Sequence, residues 1–535
     1  MNSSTSLASS GLFSERALCR WIFLVGLLLF VWGRLGLPPE EFSNADIAGM
    51  TYNADLLNDG MLPYIESIEG KAPGTFFLTA LVFRVFGRGL TPLWWFFLTW
   101  QLLGALAVWV GARALYHPSK TLSAAVATGL FLASAGQFDL VYTSWMTTPY
   151  AWAFTAAIVG LKSGRVRWHL LAGLCAMFAF LMKRQAVVLV PLFPILFVWA
   201  KRLSMPGAKG STWGWWSLGA SALPLPLLIF YLDKGHLLKL ITSIFPVESV
   251  MRYATWESPI STFEIIGLVL AQCYETFPLA ASLGIASLVV ATSDRSSGKA
   301  ENSWPVFPQV AFLILSVMAG SLGGPRYYQH YLLQYLPALA LLAARPGLFT
   351  FFRAWTTATV VQRTVRYLLL LLLLIAVGWH IEEYARGEED RRPEEDLSAA
   401  REAGLFIAER TTEDETIMVW GWTAWPTYFW ADRRAPVLGY KSLGLLTSPN
   451  TNSSFFKSQP IRFQPGVHAD ALMRAFRDDP PAYFVFSSYY RSHLRLKEEP
   501  LFEWREFVDM IKRDYELEAS FGELVVHGRR DRKRH

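Results

Sequence analysis

The chain has 535 residues, of which 53% are hydrophobic, 15% aromatic and only 17% charged, with a net charge of +6 and a mean hydropathy of +0.28. A soluble chain would carry charge on roughly a quarter of its residues, so these values exclude a wholly soluble protein and point to a polytopic membrane protein. The basic residues fall in short loops and the C-terminal tail, where they report orientation and argue for no nucleic-acid site.

The apolar run 21–36 follows Arg16 and Arg20 and lacks a small-residue cleavage pattern after Leu37. It is expected to be an uncleaved first helix with its N-terminus in the cytoplasm. Further runs at 73–87, 91–112, 121–136, 145–161, 168–182, 185–200, 214–232, 268–290, 306–322, 329–344 and 367–384 bring the candidate spans to twelve; a span needs roughly 17–25 residues. Basic loops at 162–167, 201–209, 295–299 and 345–366 are expected inside, which puts the segment after Glu382 outside. Twelve spans from a cytoplasmic N-terminus would end inside. One run is therefore miscounted, and 11 or 13 spans are expected. Residues 1–384 read as the membrane body, with 37–72 as its first outer loop.

Residues 385–535 change character. Glu394–Glu409 has amphipathic helical spacing, and Thr416–Trp420 and Ala482–Ser487 read as short buried strands. Helices are expected near 467–478 and 500–513, and a closing strand pair at Leu517–His527. About 150 residues suffice for one core. The expected fold is a helical membrane body with a C-terminal extracytoplasmic α/β domain.

The first outer loop carries Asp46, Asp55, Asp59, Glu66, Glu69 and Lys71 between two apolar runs. Anchoring requires no carboxylates there, so the loop is a candidate site. Asp46 can serve as a general base toward a hydroxyl, or can cap the helix beginning near Ile47. Lys71 can neutralise a phosphate at headgroup level, or can be an interfacial lysine. In Gly323-Gly-Pro-Arg326-Tyr-Tyr-Gln-His330-Tyr331-Leu-Leu-Gln334, Pro325 suits a helix start, and Arg326, His330 and Gln334 would share a helical face. A helix start bearing an arginine is a ready anion site, although interfacial anchoring explains the same residues. Lys183-Arg184-Gln185 places positive charge on the outer side, against the usual rule, which suggests an anionic ligand or else a simple turn. Asp139 lies in another expected outer loop. Trp420, Trp422, Trp425 and Trp430 can stack on sugars, but core packing accounts better for at least half of them. The cysteines Cys19, Cys175 and Cys273 lack CxxC or Cys/His spacing, so neither a disulfide nor a metal cluster is expected.

The order Asp46, Tyr52, Ala54, Gly60, Pro63, Tyr64, Lys71, Pro73 resembles the first outer loop of the bacterial protein-mannosyltransferase superfamily. These are GT-C membrane glycosyltransferases and include the aminoarabinose transferase of lipid A and the Rgt-type transferases. Gly324, Arg326, Tyr327, His330, Tyr331 and Pro337 resemble a second motif of that group, and Val419-Trp-Gly-Trp422 with Tyr428 and Ala431-Asp-Arg433 resembles the start of its soluble domain. Three departures stand out. Ile47 replaces a common Glu, Ala72 a Pro, and Thr147-Thr148-Pro149 stands where many relatives have Asn-Thr-Glu, leaving Glu66 or Asp139 as candidate substitutes for a second acid.

The resemblance implies inverting transfer from a polyprenyl-phosphate sugar to a glycan, lipid or protein hydroxyl at the outer face of a bacterial plasma membrane. Asp46 would be the base. Lys71, Arg326 and His330 would hold the donor phosphate, with Tyr64, Glu66, Asp139, Lys183, Tyr327 and Tyr331 as further substrate contacts. Related families divide on the use of a divalent ion, so the resemblance assigns no cofactor. A transporter or flippase is the alternative; it would place ionisable residues in the middle of several spans, whereas the charges here cluster at one face. A sensor or scaffold is a third reading, for which a dozen spans are excessive.

Overall fold

The computed structural model describes residues 15–32, 39–116, 120–136, 140–245, 271–296, 306–321, 329–346, 397–421, 423–439, 465–487 and 504–532, with isolated positions elsewhere. Arg326, Tyr327, Asp139 and Trp422 lie outside them, as does most of the expected span 367–384.

Helix α1 spans Glu15–Trp32, α2 Ala45–Asn58, α3 Gly74–Phe86, α4 Leu90–Leu115, α5 Lys120–Ala135, α6 Tyr142–Ser163 and α7 Val166–Met182. A 3-10 turn over Arg184–Val188 leads into α8, Leu189–Arg202, followed by α9 at Ser211–Ser221, α10 at Pro224–Asp233 and α11 at Leu237–Ile244. Helices Pro278–Ser296, Val306–Ser321 and Leu336–Ala343 complete the described body.

Two stretches, Leu90–Leu115 and Arg184–Arg202, are long and apolar enough to cross a membrane as single helices. The run 214–232 is not one straight helix but the pair α9 and α10, bent by 47°. Aliphatic and aromatic side chains lie exposed on α1 (Trp21, Leu28), α4 (Leu102, Leu106) and α10 (Leu225, Ile229), which is how a lipid-facing surface differs from a water-facing one. Close helix crossings use small residues. On α1, a Cβ at Gly26 would stand 2.5 Å from the Gly129 Cα of α5.

The segment 73–87 departs from its expected role as a span. Its helix α3 has 13 residues, about 20 Å at 1.5 Å per residue, against a hydrocarbon core of roughly 30 Å. Its first residue, Gly74, abuts the Leu181 backbone at the end of α7, where a Cβ would fall 2.7 Å from Leu181 C. Just beyond its last turn, Arg88 bonds Asp55 of α2 and the Phe429 carbonyl. Phe77, Leu81 and Val85 stay exposed four residues apart, while Phe76, Ala80 and Phe83 are buried. This is the pattern of a helix lying along an interface.

The C-terminal segment builds a four-stranded sheet from β1 (Ile417–Trp420), β4 (Tyr483–Ser487), β5 (Tyr515–Phe521) and β6 (Leu524–Arg529); the short pair β2 (Thr447–Ser448) and β3 (Arg462–Phe463) stands apart. The order is β1-β4-β6-β5, parallel between β1 and β4 and antiparallel elsewhere. Both faces of β1 and β4 are covered, which is why these two strands read as continuous apolar runs. Met418, Trp420, Phe484 and Phe486 pack on helices Val467–Asp478 and Arg505–Asp514. Ile417, Val419, Tyr483 and Val485 pack on helix Ser398–Ala408 and on Tyr52 and Leu56 of α2. Trp420 and Trp425 are buried core residues.

Candidate active site

Asn44, not Asp46, caps α2: its side-chain oxygen accepts from the Asp46 N–H at 2.8 Å, with φ −155° and ψ 136°. A capping carboxylate would be spent on backbone N–H groups. Here the Asp46 carboxylate instead meets Lys71 Nζ at 3.2 Å, with 16% of the Asp46 side chain exposed.

The loop that returns the chain to Lys71 is held tightly. Tyr64 takes a left-handed φ of 69°, a conformation that costs a bulky residue roughly 1–3 kcal/mol. Two hydrogen bonds hold it: Tyr64 OH donates to the Lys71 carbonyl at 2.6 Å, and Tyr231 OH donates to the neighbouring Pro63 carbonyl at 2.9 Å. Burial pushes the Tyr64 phenol well above its ordinary pKa, with the Glu69 charge adding to the shift, so this hydroxyl stays a donor. Glu69, itself buried, accepts from the Gly70 and Lys71 N–H groups at 2.8 and 3.2 Å. Tyr64 thus shapes the loop that presents Lys71.

Two distant segments complete the cluster. Lys183, at the end of α7, donates to Thr143 Oγ1 and lies 3.9 Å from the centre of the Tyr331 ring. Lys71 Nζ lies 5.0 Å from the centre of the Tyr142 ring; the buried Tyr142 hydroxyl has no hydrogen-bond partner among the described residues. His330 stacks edge-on against Tyr331 at 4.7 Å and is within electrostatic reach of Lys183, Asp46 and Lys71. Arg184 donates to the Gly70 and Ile244 carbonyls. Burial pulls the Lys183 ammonium well below its ordinary pKa; Lys71 adds to that shift, Asp46 opposes it and Arg184 adds again. Lys71, Lys183 and Arg184 thus surround Asp46 with more positive than negative charge, and an added anion would be favoured there.

The structure therefore brings together Asp46, Lys71, Tyr64, Lys183, His330 and Tyr331. Glu66 is exposed and lines a separate cavity. The helical face expected for His330 and Gln334 does not form. Residues Gln329–Tyr335 are a 3-10 helix, where positions four apart are rotated by about 120°, and Gln334 is fully buried. Tyr142 and Thr143 were not expected in the site; no motif marks them, although they follow the outer loop that holds Asp139. Among the described residues, no group of three or more His, Cys, Asp or Glu side chains is placed to hold a metal ion.

The architecture matches known structures over nearly its whole length. ArnT from Cupriavidus metallidurans bound to undecaprenyl phosphate is 14% identical with a TM-score of 0.58, covering 96% of this chain and 97% of its own. Its apo form gives 14%, 0.60, 96% and 98%. The archaeal oligosaccharyltransferase AglB from Archaeoglobus fulgidus, in complex with an inhibitory peptide and a dolichol-phosphate, gives 13%, 0.52, 94% and 72%. These likenesses establish the fold, that of the GT-C membrane glycosyltransferases. Residues 70–229 match the dolichyl-phosphate-mannose-protein mannosyltransferase family. The family match covers the part of the chain that holds Lys71, Tyr142, Lys183 and Arg184. No curated protein sequence matches it.

Proposed function

We propose that the protein transfers a sugar from a polyprenyl-phosphate donor to an acceptor hydroxyl at the outer face of the membrane, with inversion. The observation that carries this reading is the convergence of Asp46 with Lys71, with the adjacent Lys183 and Arg184, and with His330, four separate stretches of chain in all. Asp46 takes the proton of the acceptor hydroxyl as its oxygen attacks the anomeric carbon. The bond from that carbon to the phosphate oxygen breaks on the opposite side, and the bonding pair leaves with the polyprenyl phosphate. Lys71, Lys183 and His330 balance the charge that develops there, with Arg326 assigned to the same phosphate by its motif. The ArnT and AglB structures were solved with undecaprenyl phosphate and dolichol-phosphate, which supports a donor of this kind.

The interfacial placement of α3 supports the orientation. Removing 73–87 from the twelve candidate spans leaves eleven, so a cytoplasmic N-terminus leads to an outer C-terminal domain. Asp46, Lys183 and the C-terminal domain then share the outer face. The test is transfer by the full-length protein in nanodiscs, supplied with polyprenyl-phosphate hexoses and pentoses and cell-envelope acceptors. Sugar-dependent release of polyprenyl phosphate is expected, and Arg326→Ala should lower both donor affinity and rate. Thermal stabilisation by a free solute, with no response to any polyprenyl-phosphate sugar, would overturn the reading.

A further inference from the structure

A cavity of about 460 Å³ lies between the first outer loop and the C-terminal domain, within the roughly 300–1,000 Å³ range of small-ligand sites. Its floor is apolar and buried, with Tyr52 of α2 and Leu472 of helix Val467–Asp478. Its rim is exposed and polar, formed by Glu66, Arg434, His468 and Arg474. The floor is fixed: Tyr52 OH accepts from the Ala435 N–H at 3.1 Å, and the Ile68 N–H donates to the Leu438 carbonyl at 2.8 Å.

We infer that this cavity binds a saccharide portion of the acceptor, an inference that rests on the glycosyltransferase reading above. An aromatic and aliphatic floor under planar Arg, Glu and His side chains suits a sugar, which presents C–H faces to the floor and a ring of hydroxyls to the rim. A peptide would favour a free strand edge, and no strand lines the cavity. An acyl chain would leave the four ionisable rim groups facing hydrocarbon. Tyr52 stands six residues beyond Asp46 on α2, about 9 Å along its axis. Glu66 and Ile68 of the cavity wall run directly into Glu69–Lys71 of the reaction centre. The cavity therefore holds a sugar unit at a distance from the reacting hydroxyl, which implies a glycan acceptor of more than one residue.

The test uses the full-length protein in phosphatidylethanolamine/phosphatidylglycerol nanodiscs, with cellobiose, N,N′-diacetylchitobiose and mannobiose as probes, read by saturation-transfer NMR. At least one disaccharide should bind the wild type. Ala471→Trp, which fills the cavity, should abolish that binding, and Arg474→Ala, an exposed change compatible with the helix, should weaken it at least fivefold. Thermal stabilisation by undecaprenyl phosphate should be the same in all three proteins. Absence of binding by every probe, or equal binding in the three proteins, would overturn the inference. Cavity-dependent disaccharide binding without any response to undecaprenyl phosphate would uphold the sugar site while removing the lipid-donor reading.

Discussion

The two ends of α2 each pair an aspartate with a cation, yet their surroundings assign them different work. At the C-terminal end, Asp55 receives two bonds from Arg88 at 3.0 Å each. Arg88 also donates to the Phe429 carbonyl at 2.8 Å, pairs with Asp432 at 3.2 Å and lies 4.1 Å from the centre of the Phe429 ring. Its Nε and Nη2 groups are both bonded, and they fasten α2 and α3 to the C-terminal domain. At the N-terminal end, Asp46 shares one contact with Lys71, while Lys183 and Arg184 add positive charge. A saturated pair is a fastener; a carboxylate amid surplus cations is a place where an anion can enter and a proton can leave. Residue type and helix position are alike in both, so the neighbours from other segments make the distinction.

The sharpest break of this comparison is Asp46→Asn. Transfer should fall by ~10²-fold or more, as expected for loss of a general base, while expression and undecaprenyl phosphate binding persist. Asp55→Asn in the same assay should retain most of its turnover; near-normal turnover in the Asp46 variant would remove that residue from the mechanism.

Lys183 comes next. An anion beside it favours its charged form, so binding takes up a proton wherever the empty-site ammonium is partly neutral. Affinity for undecaprenyl phosphate should therefore decline as pH rises toward the ordinary lysine range, and Lys183→Met should be both weaker and free of that dependence. Isothermal titration in buffers of different ionisation enthalpy would read the proton uptake directly, and a pH-independent affinity in the wild type would count against this role.

The fastener should report itself in stability. Arg88→Ala is expected to cost about 1–3 kcal/mol, between an exposed pair and a fully buried one, read as a drop in unfolding temperature. Burial pushes Asp55 up to about 6, with Arg88 opposing the shift. The folded state therefore holds that proton more tightly than the unfolded chain does. The group's contribution is greatest below about pH 4 and declines as pH rises through about 6; Asp55→Asn should flatten melting temperature over this window.

Tyr64→Phe should be the mildest change. It removes the donor to the Lys71 carbonyl, worth about 1 kcal/mol, and should lower turnover severalfold through misplacement of Lys71 without changing the pH profile. An altered profile would make the phenol a participant in proton transfer.

Much of this was legible along the chain because its cause is local. The strands around 417–420 and 483–487 announced themselves as apolar runs bounded by polar residues, and the Asp46–Lys71 loop as acids that anchoring did not need. Lys183 was marked by sitting on the wrong side for a basic residue. What sequence alone left open was decided by packing. Whether Asp46 capped α2 depended on which side chain turned back onto the helix, and Asn44 takes that place. An apolar run tells that a helix meets lipid but not how long it is or what holds its ends, and only the structure shows α3 stopping at 13 residues with Arg88 beyond it bonded to Asp55 and Phe429. The i, i+4 spacing of His330 and Gln334 means a shared face only in an α-helix, and that segment winds as a 3-10 helix. Tyr142 and Thr143 carried no signal, because their place in the site comes only from α6 starting beside Lys71 and Lys183. The sequence by itself thus determined the apolar helical body and the polar first loop with its acids and lysine, since these follow from residue type and local spacing. The tertiary structure alone decided which charges meet, because that depends on where helices far apart in the chain come to lie.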